Sequence, residues 1–572
     1  MFSSSALYRF KDNNIFWLLL LYGAFFIFNI NFFVLKKYHL IHDSLNWYGL
    51  YKYFSESIVH GQIPLWDFYT LCGQPFYLAI SLIGLLDPII FLPIFLQSLG
   101  LSTFDGYTLF FLLRVFVFIT GVFYLFLKVV ECQKSAFWGT FIFMIAVTPT
   151  FFRQNGGLNG SYLTPFVLLT VIYILENMNK RNINHLLLIF TLLCGIIANI
   201  YIPSYFLFYF FLFFISIFLF RVFPFSTLTT FFSQKKNILT CVLLTFLLFL
   251  MLIPVLSVYL VDYKDKNTEV LPSLRIMQNL KGFPKYRPTL YVNDTFSKES
   301  YKGKSIFNSV GNLLNLIHPD IYKFFFVKEN EPMFEFYIVE SYKEVQQLFS
   351  YRSEINPYTT SSAVYPSEMT QYLGIISVLL IIIALFFSNN RYKKVFIFLS
   401  LGVFLEMTSF GDFRNHENII QKSFDFIFPF LRFIDVKETF SPLFLLSISA
   451  LAVMGVKELI GDKGERKKLF KFLMWATVSL VLFKLVTLFL LIPFYYSQLN
   501  ELLTYLILLL FFTFTFLYYK NVINKKAFII LFILLNLADL SYFYSQVTNR
   551  ILALGTQWKE HIEEKEKTDG EL

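Results

Sequence analysis

Residues 106–127 read GYTLFFLLRVFVFITGVFYLFL, with Arg114 as the one charged side chain. An α-helix rises about 1.5 Å per residue, so this stretch is long enough to cross the roughly 30 Å hydrocarbon core of a bilayer. Its apolar residues run continuously instead of alternating, which indicates a helix. We therefore predict a transmembrane helix here, and similar stretches recur along most of the chain.

The composition of the whole chain is that of a polytopic membrane protein. Of its 572 residues, 56% are hydrophobic and 15% are charged, and the mean hydropathy is +0.60. Such a chain has too little polar surface for a soluble enzyme and too few charges for a disordered protein. The four scattered cysteines do not fit a secreted disulfide scaffold and lack metal-ligand spacing. The sequence has no Walker A, GxGxxG or HExxH motif, so nothing in it supports an ATP-driven pump or a metalloprotease.

The apolar stretches predict an all-α polytopic fold with about 14 transmembrane helices. The second stretch is interrupted by Asp87-Pro88, and the tenth, 395–410, is short. Lys36-Lys37-Tyr38 follows the first stretch where a signal peptide would have small residues, so we interpret that stretch as a retained helix. The predicted spans are 15–35, 79–99, 106–127, 136–152, 162–178, 186–201, 203–220, 238–258, 369–388, 395–410, 441–460, 469–492, 501–519 and 527–543.

Basic residues are concentrated in the turns on one side of the predicted bundle. With Arg9 and Lys11 at a cytoplasmic N-terminus, the positive-inside rule places these turns in the cytoplasm and the chain in the cell membrane. The net charge of +10 then reflects membrane topology and not a nucleic-acid partner. The basic turns carry Lys128 and Lys134, Lys180 and Arg181, Arg221, Lys235 and Lys236, Arg391, Lys393 and Lys394, Lys463, Arg466, Lys467 and Lys468, and Lys520, Lys525 and Lys526.

Three polar segments are predicted on the outer side. They are a first outer loop at 36–78, a long segment at 259–368 that could fold as a small mixed domain, and 411–440. The long segment separates an N-terminal membrane region at 1–258 from a C-terminal membrane region at 369–543, which a polar tail at 544–572 follows.

The first outer loop carries the most informative motifs. It contains His42-Asp43-Ser44-Leu45-Asn46-Trp47, and further on Gly61-Gln62-Ile63-Pro64-Leu65-Trp66-Asp67. A carboxylate at headgroup depth is partly withdrawn from water, which raises its basicity. Asp43 could therefore deprotonate an acceptor hydroxyl or hold a divalent cation. The alternative is a solvated loop acid beside aromatic residues of the membrane interface.

Several spaced landmarks resemble a known family. The pattern D…G-x-I-P-L-W-D-x-Y…G-x-P after a first helix is similar to the N-terminal region of the bacterial YfhO-like membrane proteins. The stretches 312–319, Tyr372-Leu373-Gly374 and 536–540 resemble later landmarks of that family. The resemblance covers most of the chain as separate landmarks and not as one dense motif.

The resemblance implies a GT-C-like architecture and a glycosyltransferase activity. Such proteins use a polyprenyl-phosphate-linked sugar to glycosylate a cell-envelope acceptor, such as teichoic acid, on the outer face. Asp43 matches the catalytic acid of the first outer loop, and Asp67 is a second candidate that could instead belong to a structural turn. The implied partners are the lipid-linked donor, the acceptor polymer and membrane lipids, and a divalent cation is left open.

Basic side chains near the outer face are candidate substrate contacts. Arg153 ends a predicted span, where its guanidinium could bind a donor phosphate bidentately or simply anchor to headgroups. The 411–440 segment supplies His416, Arg432 and Lys437, at a spacing that differs from the basic pair of YfhO-like relatives.

Charged residues within apolar stretches are also candidates for function, because each costs roughly 2.5–3.5 kcal/mol at mid-helix. Asp87 and Arg114 lie in neighbouring predicted helices, where they could pair structurally or line a substrate groove. Lys484 could snorkel to the interface or bind a lipid phosphate, and Asp539 is expected to be a helix-packing or interfacial acid.

Three functional classes remain in consideration. The resemblance favours the glycosyltransferase. A transporter or flippase of a lipid-linked precursor would have broken helices at matching positions of two halves, and the breaks at Asp87-Pro88 and Pro203 show no such pairing. A non-catalytic partner in envelope assembly would tolerate the loss of Asp43.

Overall fold

The structure is a computed structural model that describes helices from both of the predicted membrane regions. The described residues are 4–33, 43–62, 87–153, 161–177, 203–240, 373–409, 441–460, 466–491, 498–524 and 526–541, with short pieces at 64, 66–67, 74–75, 158, 187–191, 193–194, 242–243 and 246. The predicted segments 259–368, 411–440 and 544–572 lie outside the described residues.

The N-terminal region is helical apart from one short strand pair. Its helices are α1 Ser4–Phe28, α2 Ile30–Phe33, α3 Asp43–Val59, α4 Phe91–Ser98, α5 Thr103–Val130, α6 Gln133–Arg153, α7 Thr164–Glu176, α8 Pro203–Leu219 and α9 Ser226–Ser233. A 3₁₀ turn, Pro88–Ile90, leads into α4, and β1 Trp66–Asp67 pairs antiparallel with β2 Gln74–Pro75.

The C-terminal region adds a second set of helices. They are α10 Ile375–Phe387, α11 Lys393–Ser409, α12 Ser441–Ile460, α13 Arg466–Leu491, α14 Gln498–Tyr519 and α15 at 526–541. Several match the predicted spans closely: α12 covers the predicted 441–460, and α8 begins at the predicted Pro203.

The predicted helical fold is confirmed for the described residues, with the β1–β2 pair as the exception. Two described stretches, Thr103–Val130 and Pro442–Leu459, are long and apolar enough to cross a membrane. Shorter apolar helices include Asn14–Phe28, Thr164–Glu176 and Ile375–Phe387. The count of about 14 spans stays a prediction.

Helix α12 is the centre of the packing, with α6, α10 and α11 against it. Glycines permit the closest approaches. A Cβ built at Gly455 of α12 would lie 2.0 Å from the backbone oxygen of Leu380 in α10. A Cβ built at Gly139 of α6 would lie 1.7 Å from Val453 Cγ2 of α12. Small residues at helix crossings let backbones approach closely, as is common where apolar helices pack in lipid.

Two segments differ from their predicted form. Residues 43–59 of the predicted first outer loop form the helix α3. In the predicted span 79–99, residues 79–86 lie outside the described residues, and Asp87 has extended backbone (ψ 124°) just before the helical Pro88–Ser98, so the span is not one continuous helix.

The start of α10 is capped by a residue far away in the sequence. The carboxylate of Asp539, in α15, accepts a hydrogen bond from the backbone nitrogen of Ile375 at 2.7 Å, across 164 residues. Asp539 is buried, so the prediction that it is a helix-packing acid is confirmed. Gly374 precedes the helix with φ +86°, a conformation that favours glycine, and a Cβ there would lie 2.8 Å from Asp539 Oδ2.

We expect Asp539→Ala to lower the free energy of unfolding by about 1–2 kcal/mol, because it leaves a buried backbone donor at a helix start without this acceptor. Thermal unfolding in detergent measures the effect. Ser102→Ala is the matched control: Ser102 caps α5 through Asp105 N at 3.1 Å, but at an exposed site where water replaces the lost bond. Equal losses in the two variants would contradict a special role for the buried cap.

Candidate functional site

Asp43 is the first residue of α3. The helix forms because Tyr51, Phe54 and Ser55 recur at helical spacing and are buried on one face. It ends at Val59. The turn that follows is closed at Gly61, whose φ of +73° lets Gln62 N bond to Ser57 O at 2.8 Å and Gly61 N bond to Ile58 O at 2.9 Å. An acid in the first turn of a helix is also favourable to the helix dipole, which is the structural alternative to catalysis by Asp43.

The buried face of α3 packs on the first turns of α5. The Tyr51 ring lies 5.1 Å from that of Tyr107 and stacks on that of Phe110, with centroids 5.8 Å apart. Gln97 Nε2, in α4, donates to Tyr51 OH at 3.1 Å. Burial raises the pKa of the Tyr51 phenol, so this hydroxyl stays protonated at neutral pH. These contacts fix α3, and with it the segment that carries Asp43, at the N-terminal end of α5.

Arg153 is the last residue of α6, and α6 contacts α3. Two residues before it, the Phe151 ring lies 5.6 Å from that of Phe118 in α5. Arg153 therefore ends α6 beyond the level of Phe118, towards the end where α5 begins. The helices that carry Asp43 and Arg153 are in contact, while the side chains of these two residues lie outside the described part.

The other predicted site residues have no described side chains. Asp67 is in β1, opposite Gln74 of β2, and its side chain is outside the described part. His416, Arg432 and Lys437 lie outside the described residues altogether. Lys484 is within α13, again without a described side chain.

The best-defined polar cluster joins Asp87, Arg114 and Tyr162. Arg114 Nε donates to Asp87 Oδ2 at 3.2 Å, and Tyr162 OH donates to the same oxygen at 2.5 Å. The second oxygen, Asp87 Oδ1, accepts from Ile89 N at 3.0 Å and caps the 3₁₀ turn. The predicted pairing of Asp87 with Arg114 is thus confirmed.

This cluster is withdrawn from water: the side chains of Arg114 and Asp87 are 0% and 1% exposed. The guanidinium carbon of Arg114 lies 3.6 Å from the centroid of the Phe110 ring, a further favourable contact for a buried cation. A carboxylate with three donors and a guanidinium over an aromatic ring form a compensated pair. We interpret the cluster as holding helices together and not as a groove that binds substrate.

A second charged cluster lies at the far end of the same helices. Glu176, the last residue of α7, forms salt bridges with Lys128 of α5 and with Arg391, between α10 and α11. Asn390 Nδ2 donates to Val129 O at 2.7 Å beside them. These contacts join the N-terminal and C-terminal regions on the side that carries the basic turns.

Sequence reasoning missed Tyr162 and Glu176. Tyr162 gave no signal, because a tyrosine at the edge of an apolar stretch is common at membrane interfaces. Glu176 did give one: it is an acid at the end of an apolar stretch, just before Lys180 and Arg181 and on the basic side. A lone acid among basic turns is a candidate for an ion pair.

Metal ligation finds no support in the described part of the chain, where no group of three His, Cys, Asp or Glu side chains lies close enough to hold an ion. Cys132 and Cys194 are free thiols. The chain matches no protein-family model, no curated protein and no solved structure.

Proposed function

We propose that the chain is a multi-pass protein of the bacterial cell membrane that transfers a sugar from polyprenyl phosphate to a cell-envelope acceptor on the outer face. The observation that carries the proposal is the contact between α3, which begins at Asp43, and α6, which ends at Arg153. It brings together the helices that bear a candidate base and a candidate phosphate-binding cation. The resemblance to YfhO-like proteins supplies the reaction class.

Membrane location is supported by the surface of the described helices as well as by composition. Large apolar side chains such as Leu19, Phe386 and Trp475 are more than half exposed. Apolar faces of this extent on a water-soluble protein would favour aggregation, whereas acyl chains cover them without cost.

Two family-like landmarks in the C-terminal region also meet. Gly374 of the Tyr372-Leu373-Gly374 motif lies against Asp539 of the 536–540 motif, with a built Cβ 2.8 Å from Asp539 Oδ2. Motifs far apart in sequence thus form one packed unit, which supports their treatment as landmarks of one architecture.

In the proposed reaction, the carboxylate of Asp43 removes the proton of an acceptor hydroxyl while the oxygen of that hydroxyl attacks the anomeric carbon of the lipid-linked sugar. The bond between that carbon and the phosphate oxygen breaks, and polyprenyl phosphate leaves with the electron pair. The guanidinium of Arg153 would stabilise the charge on the leaving phosphate by a bidentate contact.

We expect Asp43→Asn to abolish a glycosyl substituent of the envelope, since loss of a general base lowers rates by about 10²–10⁴-fold. The measurement is glycan analysis of wild type, a deletion strain and the variant at matched protein levels. Glu56→Gln is the control within α3: Glu56 accepts a hydrogen bond from Thr103 Oγ1 at 3.3 Å, more than three turns from Asp43. The Glu56→Gln strain should keep the substituent.

A transporter or flippase is the second candidate, favoured by one observation. The helix Pro88–Ser98 starts at a buried break, and discontinuous helices of this kind are typical of transporters. If the deletion strain loses the substituent while Asp43→Asn keeps it, the protein acts as a transporter or as a non-catalytic assembly partner. If the deletion changes no envelope glycan, the glycosyltransferase proposal is wrong.

A further inference from the structure

The relative directions of α1 and α5 are fixed by side-chain contacts. Gln133 Nε2, at the start of α6 just after α5, donates to Asn14 Oδ1 in the first half of α1 at 2.9 Å. Further along α1, the Tyr22 ring lies 4.5 Å from that of Phe116 in α5, and Tyr22 OH hydrogen-bonds Thr120. The two helices are therefore antiparallel: α1 ends, and α5 begins, on the side away from Asn14 and Gln133.

The chain between these helices must then start and finish on the same side. A segment that crossed the membrane once between α1 and α5 would place the start of α5 on the wrong side. The predicted span 79–99 is the one apolar stretch of spanning length between them.

The α4 segment runs along α5 towards the end at which α5 begins, which is the direction that a return to the same side requires. At its start, Asp87 contacts Arg114, the twelfth residue of α5, and near its end Gln97 Nε2 donates to Thr103 O at 3.2 Å, at the first residue of α5. Arg114 lies about 16 Å along the helix from Thr103. The segment therefore begins deep beside α5 and rises towards the end where α5 starts.

We propose that the apolar segment ending in α4 is re-entrant: its described part starts at membrane depth at Asp87-Pro88 and rises to the outer face as α4, so that it does not cross the membrane. This inference rests on the proposed membrane location and deepens the outer-face site. The connection 99–102 then lies outside, on the face to which Asp43 and Arg153 are assigned, and α4 forms part of the wall of that site.

The hydrogen bonds and the ion pair of Asp87 satisfy the polar groups that a break in a helix exposes at membrane depth. Irregular backbone at membrane depth is tolerated only where protein buries it and satisfies its polar groups. The Asp87 carboxylate caps Ile89 N, and Ile90 N bonds to Asp87 O at 3.0 Å. Arg114 balances the charge, and Tyr162 adds a further donor. The buried triad thus holds the turn of the re-entrant element.

The distribution of basic residues agrees with this topology. The predicted 14 spans and the cytoplasmic placement of the basic turns are incompatible: with a cytoplasmic N-terminus and 79–99 as a full crossing, the turn with Lys128 and Lys134 falls on the outer side, and so do the later basic turns. If the segment that ends in α4 does not cross the membrane, all these turns fall in the cytoplasm, as the positive-inside rule demands. The contacts of Glu176 with Lys128 and Arg391 place the end of α5, the end of α7 and the turn between α10 and α11 on one side of the bundle, as this topology requires.

Cysteine accessibility in intact cells tests the proposal on the full chain. Single cysteines are placed in a variant whose Cys72, Cys132, Cys194 and Cys241 are serines. The reporter is Leu99→Cys, at a position 69% exposed between α4 and α5. Gln62→Cys, exposed just after α3, marks the outer side, and Lys134→Cys, exposed in the first turn of α6, marks the cytoplasm.

We expect a membrane-impermeant maleimide to label Leu99→Cys and Gln62→Cys in intact cells, and Lys134→Cys only after permeabilisation. Labelling of Leu99→Cys only after permeabilisation, or only in denaturant, overturns the proposal. The outcome is separable from the proposed function: Asp43→Asn with an unchanged glycan removes the enzyme proposal and leaves the labelling pattern as it is.

Discussion

Asp87→Ala should destabilise the protein by about 3–5 kcal/mol, because it leaves the guanidinium of Arg114 buried without its carboxylate. The same change removes the acceptor of Tyr162 OH and the cap of the turn at Ile89. The measurement is the thermal unfolding midpoint of the purified protein in detergent, together with the yield of monodisperse protein.

The matched control is the partly exposed cluster at the other end of α5. Glu176→Gln weakens ion pairs with Lys128 and Arg391, whose side chains are 18% and 49% exposed, so we expect a cost of about 0–1 kcal/mol. The double variant Asp87→Leu with Arg114→Met removes both charges and should be more stable than Asp87→Ala alone. A loss in Asp87→Ala no larger than in Glu176→Gln would contradict the role of the buried pair.

Gly455→Ala should cost about 3 kcal/mol, at the upper end for overpacking, because the new Cβ would lie 2.0 Å from the backbone oxygen of Leu380. A backbone oxygen cannot rotate away as a side-chain end can, so α10 and α12 must separate. Thermal unfolding in detergent and the folded yield again measure the effect.

Gly23→Ala is the matched control, since Gly23 is also within a helix and a Cβ there meets nothing within 4 Å. Alanine favours a helix over glycine by about 1 kcal/mol, so this variant should be neutral or slightly stabilising. If Gly455→Ala is as well tolerated as Gly23→Ala, the close crossing of α10 and α12 is not a determinant of stability.

Local sequence pattern predicted most of the helices because continuous apolar stretches need no information from elsewhere in the chain. The predicted span 441–460 and the observed Ser441–Ile460 coincide. The pairing of Asp87 with Arg114 was predictable for a related reason. A buried charge is so costly that it needs a partner of opposite charge, and few charged residues lie in the neighbouring apolar stretches. The candidate site was less predictable from the sequence. Asp43 and Arg153 were chosen by residue type and position, and a sequence pattern does not reveal side-chain geometry.

Other features depended on residues distant in sequence. The α3 helix looked like a loop because polar residues interrupt it, and its Tyr51 and Phe54 reveal a buried face only against α5. The capping of Ile375 by Asp539 spans 164 residues, a distance at which no local pattern operates. Tyr162 contacts Asp87 across 75 residues, and the sequence did not predict this contact for the same reason.

The sequence by itself determined the helical fold class, the positions of most of the described helices and the need for a partner to Asp87. Each of these follows from the transfer of side chains out of water, which is a property of composition and of short stretches. Only the tertiary structure decided that α1 and α5 are antiparallel, and that Asp87 lies about 16 Å along α5 from Thr103. Hydropathy measures how long an apolar stretch is and carries no direction, whereas contacts with neighbouring helices fix where a segment begins and to which side it returns.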